Sequence, residues 1–217
     1  MTPVILLTDG YIANGVEPWR VPNLDQLPKI DVKFRTEVEG FHPFLRDPDT
    51  LARAWARPGT PGLIHRVGGL EKDYHSGHIS YDAENHDLMC RTRQSKIAGI
   101  ARDVPEQTVE VGSDSGKLLV LGWGSTYGAI REAVQRCRGR GLDVSHAHVN
   151  YIDPFPRNLG ELLGRFDRVL IPELNLGQLA QLVRGQFLVP VESFTKMKGQ
   201  PFKIDEVEER IRQMMES

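Results

Sequence analysis

The chain has 217 residues, 40% of them apolar and 26% charged, with a formal net charge of −2. That balance fits a globular protein and gives no support for binding nucleic acid or an anionic membrane surface. Two cysteines, Cys90 and Cys137, supply neither a disulfide framework nor enough thiolates for an iron–sulfur cluster. No apolar stretch approaches membrane-spanning length, and the first residues lack the basic region of a signal peptide, so the cytoplasm is the expected compartment.

In chain order, Val4 to Leu7 is a continuous apolar run closed by Thr8, Asp9 and Gly10. Such a run predicts a strand buried on both faces and ending in a turn. It needs neighbours, so it either joins a sheet built by the later chain or belongs to a sheet formed upstream of Met1. From Glu17 to Gly69 the sequence is proline-rich and weakly periodic, as in "PWRVPNLDQLP". Proline removes a backbone donor and disfavours helix before it, which predicts an extended arm. Trp19, Phe34, Phe41, Phe44 and Trp55 predict anchors along that arm, because disordered segments are poor in aromatic residues.

Asp82 is a candidate cap for a helix with Leu88, Ile97 and Ile100 among polar residues, ending near Pro105. From Glu106 strand and helix alternate. "KLLVLGWGS" predicts a buried strand, and "TYGAIREAVQRCRGRG" a helix stopped by Gly139 and Gly141. "LDVSHAHVNYI" predicts a second strand, "NLGELLGRF" a short helix capped by Asn158, and "DRVLIPE" a third strand. "LGQLAQLVRG" predicts a helix and "QFLVPVESF" a fourth strand. The terminal helix carries Ile204, Val207, Ile211 and Met214 as a stripe at helical spacing. This alternation predicts an α/β fold with a doubly wound, mostly parallel sheet.

Two stretches carry candidate chemistry. In "GWGSTYG", Gly122, Gly124 and Gly128 lie one residue away from dinucleotide-binding spacing, and the expected acid after the next strand is replaced by Asp153 in a proline turn. Gly122, Gly124, Ser125 and Thr126 are therefore either a structural tight turn or a turn whose N–H groups hold an anion. His75, His78, His86 and Cys90 have the spacing H-x2-H-x7-H-x3-C, with His86 and Cys90 on one helix face. The gaps fit no zinc pattern, so metal binding, ordinary loop histidines and a solvent-shielding active-site loop all stay open. No metal site and no catalytic dyad is assigned by spacing.

The segments "TPVILLTDGYIANGVEPWRVP", "LLVLGWGSTYGAIREAV", "HAHVNYIDPFPRNLGELL" and "VLIPELNLGQLAQLVRGQFLVPVESFTKMKGQPFKIDEV" cover most of the chain in order. Together they resemble the C-terminal part of the alpha subunit of 2-oxoglutarate:ferredoxin oxidoreductase, in the thiamine-diphosphate-dependent 2-oxoacid:acceptor oxidoreductase family. "GGLEKDYHSGHIS" is similar to the family's connecting loop, with Lys72 where Gly-Leu-Glu-His is usual.

The resemblance implies an organisation. Residues 1–20 are the end of an upstream pyrimidine-binding domain, with Asp9, Gly10, Asn14 and Gly15 as its structural motif. Residues 21–105 are a connecting arm with the histidine loop and a helix. Residues 106–217 are a transketolase C-terminal-like α/β domain. It also implies oxidative decarboxylation of 2-oxoglutarate to succinyl-CoA by an intact hetero-oligomer. That assembly uses thiamine diphosphate, Mg²⁺ and an iron–sulfur cluster, coenzyme A as co-substrate, a beta subunit, and ferredoxin as acceptor. The cofactor-activating acid and the cluster ligands are then expected outside this chain, which by itself is expected to be inactive. A free-standing α/β interaction module and a metal-binding regulatory domain using the histidine loop are the alternatives.

Overall fold

A computed structural model describes residues 1–16 and 18–216. Glu17 and Ser217, the expected limits of the arm and of the α/β segment, lie outside the described residues. The chain divides into two compact units: Met1–Val4 with Glu17–Ala101, and Ile5–Val16 with Arg102–Ser217.

The second unit contains a five-stranded sheet. Its strands are β3 (Val109–Val111), β4 (Gly116–Trp123), β5 (Val144–Val149), β6 (Phe166–Glu173) and β7 (Val191–Thr195), in the order β3-β5-β4-β6-β7. The pairs β4–β5, β4–β6 and β6–β7 are parallel, whereas the short edge strand β3 runs antiparallel to β5. The expected doubly wound, mostly parallel sheet is thus observed. Helices α3 (Tyr127–Gly139) and α6 (Ile204–Glu216) cover one face, burying Leu118, Val120, Ile130, Val134 and Ile211. Helices α4 (Leu159–Leu163) and α5 (Gln178–Phe187) cover the other, over Leu119, Leu121, Ala147 and Ile171. Alternate residues of β4 therefore feed opposite cores, as a strand covered on both sides requires.

Local chemistry explains the helix ends. Gly141 stands at φ +86°, its N–H donating to Arg138 O at 2.9 Å while Leu142 N–H reaches Cys137 O at 3.1 Å. That left-handed turn closes α3. Helix α5 runs through Gln186 and Phe187, which the sequence pattern assigned to the following strand. Phe187 stacks on Phe155 with centroids 5.6 Å apart and fills the space above Gly160, where an added Cβ would come within 2.7 Å of its ring. Tertiary packing extends this helix past its local signal. Asn158 occupies the cap position of α4 without bonding its backbone. Its amide instead clamps Gln107, accepting from Gln107 N at 2.8 Å and donating to Gln107 O at 2.9 Å.

The expected strand over Val4–Leu7 is not formed, and all four residues are exposed. A both-faces-buried strand exists only where neighbours pair its edges, and none of the described strands does so. Its turn becomes a single helical turn, α1 (Gly10–Ala13), whose end is held by Asn14 Nδ2 donating to Gly10 O at 2.8 Å.

In the first unit the proline-rich run is more ordered than an extended arm. Two-residue strands β1 (Phe34–Arg35) and β2 (Trp55–Ala56) pair in parallel, and Arg46 bridges Arg53 antiparallel. Of the expected anchors, Phe44 is buried, whereas Trp19 is 72% exposed and anchors nothing. Helix α2 (Ala83–Gly99) begins as expected at Asp82, whose carboxylate accepts from Asn85 N at 2.8 Å. Its inward residues are Asn85, Met89 and Thr92, while Leu88 faces out.

Candidate functional site

The glycine turn follows β4, the strand at which the sheet order reverses, where open α/β sheets place ligands. A 3₁₀ turn, Gly124–Thr126, leads into α3. Gly124 has φ +58° and open space beside it, so its role is conformational. Gly122 has a steric role: an added Cβ would stand 2.8 Å from Ile130 Cδ1 and 2.9 Å from His148 Nδ1. Thr126 Oγ1 donates to Trp123 O at 2.8 Å and accepts from Trp123 N at 3.3 Å, which ties the turn to its own strand. Ser125 Oγ donates to the Asp9 carboxylate. Two stretches singled out separately in the sequence, the opening motif and the glycine turn, therefore meet, and the anion met by Ser125 is the chain's own Asp9.

Beneath α3 lies a pair of histidines that sequence reading passed over as part of an apolar strand. His146 and His148 project from β5 toward Tyr127, whose ring centroid is 5.6 Å and 4.9 Å from theirs. Both are buried; neither ring nitrogen of His146 has a hydrogen-bond partner, nor has Nδ1 of His148. Burial holds His146 down to a pKa of about 3, helped by the nearby His148 and Arg131. Burial also lowers His148, against the opposing pull of Glu110 and a hydrogen bond with the Gly124 backbone. Both rings are therefore neutral at ordinary pH. Tyr127 screens them while donating its hydroxyl to Glu110 at 2.6 Å. The only sequence signal was two histidines at i and i+2 in a run otherwise suited to the core.

Beside the glycine turn, β6 ends in the segment "PELNLGQLA". Glu173 is fully buried, its two oxygens accepting from Leu179 N at 2.8 Å and Ala180 N at 3.0 Å. Asn175 Oδ1 accepts from Gly177 N at 2.7 Å and from Gln178 N at 3.2 Å. Gly177 adopts φ +93°, with Ser193 Oγ 2.9 Å from where a Cβ would sit. The acid, amide and glycine of this motif thus build the start of α5, with a carboxylate at the positive end of the helix. "TKMKGQPFKIDE" is likewise a clamp. Buried Lys196 donates to Glu206 at 2.6 Å and to Pro201 O at 2.9 Å, and Glu206 accepts from Lys203 N at 2.8 Å.

In the first unit the histidine loop is a tight turn. Asp73 Oδ1 accepts from His75 N at 3.1 Å, Ser76 N at 2.7 Å and Ser76 Oγ at 2.8 Å. These bonds hold the Asp73 carboxyl below its usual range, the Ser76 bonds foremost. Asn85 ties the turn to α2, accepting from Tyr74 N at 2.9 Å and donating to Lys72 O at 3.0 Å. His75 and His78 face solvent. His86 is drawn elsewhere, its Nδ1 lying 2.6 Å from Glu71 Oε2 and its Nε2 3.7 Å from Cys90 Sγ. Arg93 donates to Glu71 at 3.1 Å and to Cys90 Sγ at 3.1 Å. Among the described residues no group of three or more His, Cys, Asp or Glu side chains is placed to hold a metal ion. Two cysteines are also half of what an iron–sulfur cluster takes. Among the described residues the donor sets for Mg²⁺ and for a cluster are not assembled.

Known proteins carry similar sequence along nearly the whole chain. The 2-oxoglutarate oxidoreductase subunit KorA of Mycobacterium tuberculosis (strain ATCC 25618 / H37Rv) is 56% identical over 211 residues, spanning 97% of this chain and 32% of that protein. The chain is homologous to the alpha subunits of the 2-oxoacid:ferredoxin oxidoreductases. Residues 116–207 match the pyruvate:ferredoxin oxidoreductase core domain II. The alpha subunit of 2-oxoacid:ferredoxin oxidoreductase 1 from Aeropyrum pernix is 32% identical over 190 residues, covering 83% of this chain and 29% of its own. Among solved structures, 2-oxoglutarate:ferredoxin oxidoreductase from Magnetococcus marinus, with 2-oxoglutarate, coenzyme A and succinyl-CoA bound, superposes with a TM-score of 0.80. Its identity is 27%, over 89% of this chain and 34% of that one. The chain thus spans about a third of the length of these alpha subunits. No helix among the described residues is long and apolar enough to cross a membrane.

Proposed function

We propose that this chain serves as the C-terminal portion of the alpha subunit of a 2-oxoacid:ferredoxin oxidoreductase that converts 2-oxoglutarate to succinyl-CoA. The observation that carries the reading is the 56% identity to KorA, which runs along nearly the whole chain. In the intact assembly thiamine diphosphate would supply the chemistry at the ketone carbon and an iron–sulfur cluster would supply electron transfer. Coenzyme A receives the acyl group, and a beta subunit and ferredoxin complete the set of partners. The residues of this chain fit a scaffolding part in that scheme. Residues 106–217 bury two cores and fix the starts of α5 and α6 with side-chain clamps, which suits a domain that supports a subunit interface. The loop around His75 and His78 is rigid at its base and presents its histidines outward, as a cover over the site of the complete subunit would. A metal-binding regulatory reading loses its support, because His86 is paired with Glu71 and no group of three candidate ligands forms among the described residues.

The test is a chimera in which residues of this chain replace the homologous third of KorA. Expected is retained 2-oxoglutarate oxidation, dependent on coenzyme A, with ferredoxin or a viologen as acceptor. A folded, assembled chimera without turnover would overturn the proposal, as would 2-oxoglutarate oxidation by this chain alone.

A further inference from the structure

The first unit holds a cavity of about 220 Å³ that the oxidoreductase reading does not use. Its walls are mostly apolar, with Phe34, Trp55, Pro58 and Val67 among them and Arg53 and His65 as polar members. Phe34 and Trp55 are register partners across β1 and β2, their ring centroids 6.1 Å apart. The volume lies below the roughly 300–1,000 Å³ of drug-sized sites, which restricts an occupant to a small molecule.

Arg53 belongs to a cluster of cations. Arg46 is its antiparallel bridge partner, and both guanidinium groups lie over the Phe44 ring, at 4.4 Å for Arg53 and 5.9 Å for Arg46. Arg46 also stacks over Tyr74 at 4.7 Å. Lys96 donates to Met1 O at 2.7 Å, and Met1 Sδ in turn contacts Arg53. Arg46, Arg53 and Lys96 are each half-buried, and among the described residues none is ion-paired with a carboxylate. Desolvation lowers all three, and the two arginines depress Lys96 further by repulsion. Three like charges held together with little water are costly unless an anion joins them. A phosphate monoester carries about −1.5 to −2 charges at neutral pH and offers oxygens that match an arginine fork.

We propose that this cavity binds a small phosphate monoester, its head on Arg53, which lines the cavity with Arg46 and Lys96 behind it, and its apolar end against the Phe34–Trp55 pair. The inference does not rest on the oxidoreductase reading, because every residue it uses lies in the first unit.

The probe is phenyl phosphate, titrated into the purified chain by calorimetry and by Trp fluorescence, with inorganic phosphate and phenol as half-ligands. Expected is saturable binding of phenyl phosphate that weakens with salt, at least tenfold tighter than either half-ligand. Arg53→Gln is expected to weaken it at least tenfold, and Lys96→Gln gives a second variant should the first misfold. Trp55→Phe should abolish the fluorescence change while leaving calorimetric binding. Absence of saturable binding to the wild-type chain at millimolar concentration would overturn the proposal. So would equal affinity for inorganic phosphate, or unchanged affinity in the folded variants.

Discussion

The carboxylate of Glu173 accepts the backbone N–H of Leu179, and an acid at the end of one strand thereby starts the helix that follows it. Glu173 is fully buried and also takes the N–H of Ala180, so two of the four orphan donors of α5 have a charged acceptor. The sequence presents this acid as an ordinary polar residue closing a strand. In the fold it joins β6 to α5 beside the glycine turn.

Glu173→Ala is expected to lower the stability of the chain by about 2–4 kcal/mol, because it strands two buried donors and removes a charge from a helix N-terminus. Glu173→Gln, which keeps an acceptor, should cost less. Urea denaturation of both variants measures the difference, and equal losses would refute the capping role.

Acid should weaken the second unit through its buried histidines. His146 has a folded pKa of about 3 against an ordinary value of 6.5. Between these values the unfolded chain binds a proton that the folded chain refuses, so stability falls as pH drops. The stabilisation is complete above about pH 6.5 and is lost progressively toward pH 3, at up to about 1.4 kcal/mol per pH unit for one group. His148 acts in the same direction. Thermal melts from pH 7.5 to 4 check this, and His146→Leu should flatten the slope.

Gly122→Ala is expected to cost about 1–3 kcal/mol by overpacking, since the new methyl group meets Ile130 Cδ1 and His148 Nδ1. Ile130→Val removes the Cδ1 atom and should recover part of that loss. A double-mutant cycle in urea reads the coupling, and simple additivity would place the strain elsewhere.

The two cysteines should separate cleanly under alkylation. Cys90 is exposed beside Arg93 and His86, whereas Cys137 is buried and burial raises its thiol pKa. Iodoacetamide is expected to add one group to the native chain, at Cys90, and a second only in urea. Mass spectrometry of both samples decides it, and a doubly modified native chain would contradict the burial of Cys137.

The sequence by itself determined the α/β architecture, since strand and helix periods mark which residues face a core within a few positions of one another. Local chemistry likewise placed the Asp82 cap and the Gly141 stop. The three-residue strand β3 is too short to carry a period and went unread, and the expected strand at Val4–Leu7 required pairing partners that apolar composition cannot supply. The long-range partners of polar side chains were decided by the tertiary structure alone. Asn158 reaches Gln107 rather than its own helix, Asp9 meets Ser125, and His146 and His148 lie neutral under Tyr127. Each of these pairs joins residues far apart in sequence, or buries a polar group against its intrinsic preference for water. Such contacts are fixed by how whole elements pack, which local pattern does not encode.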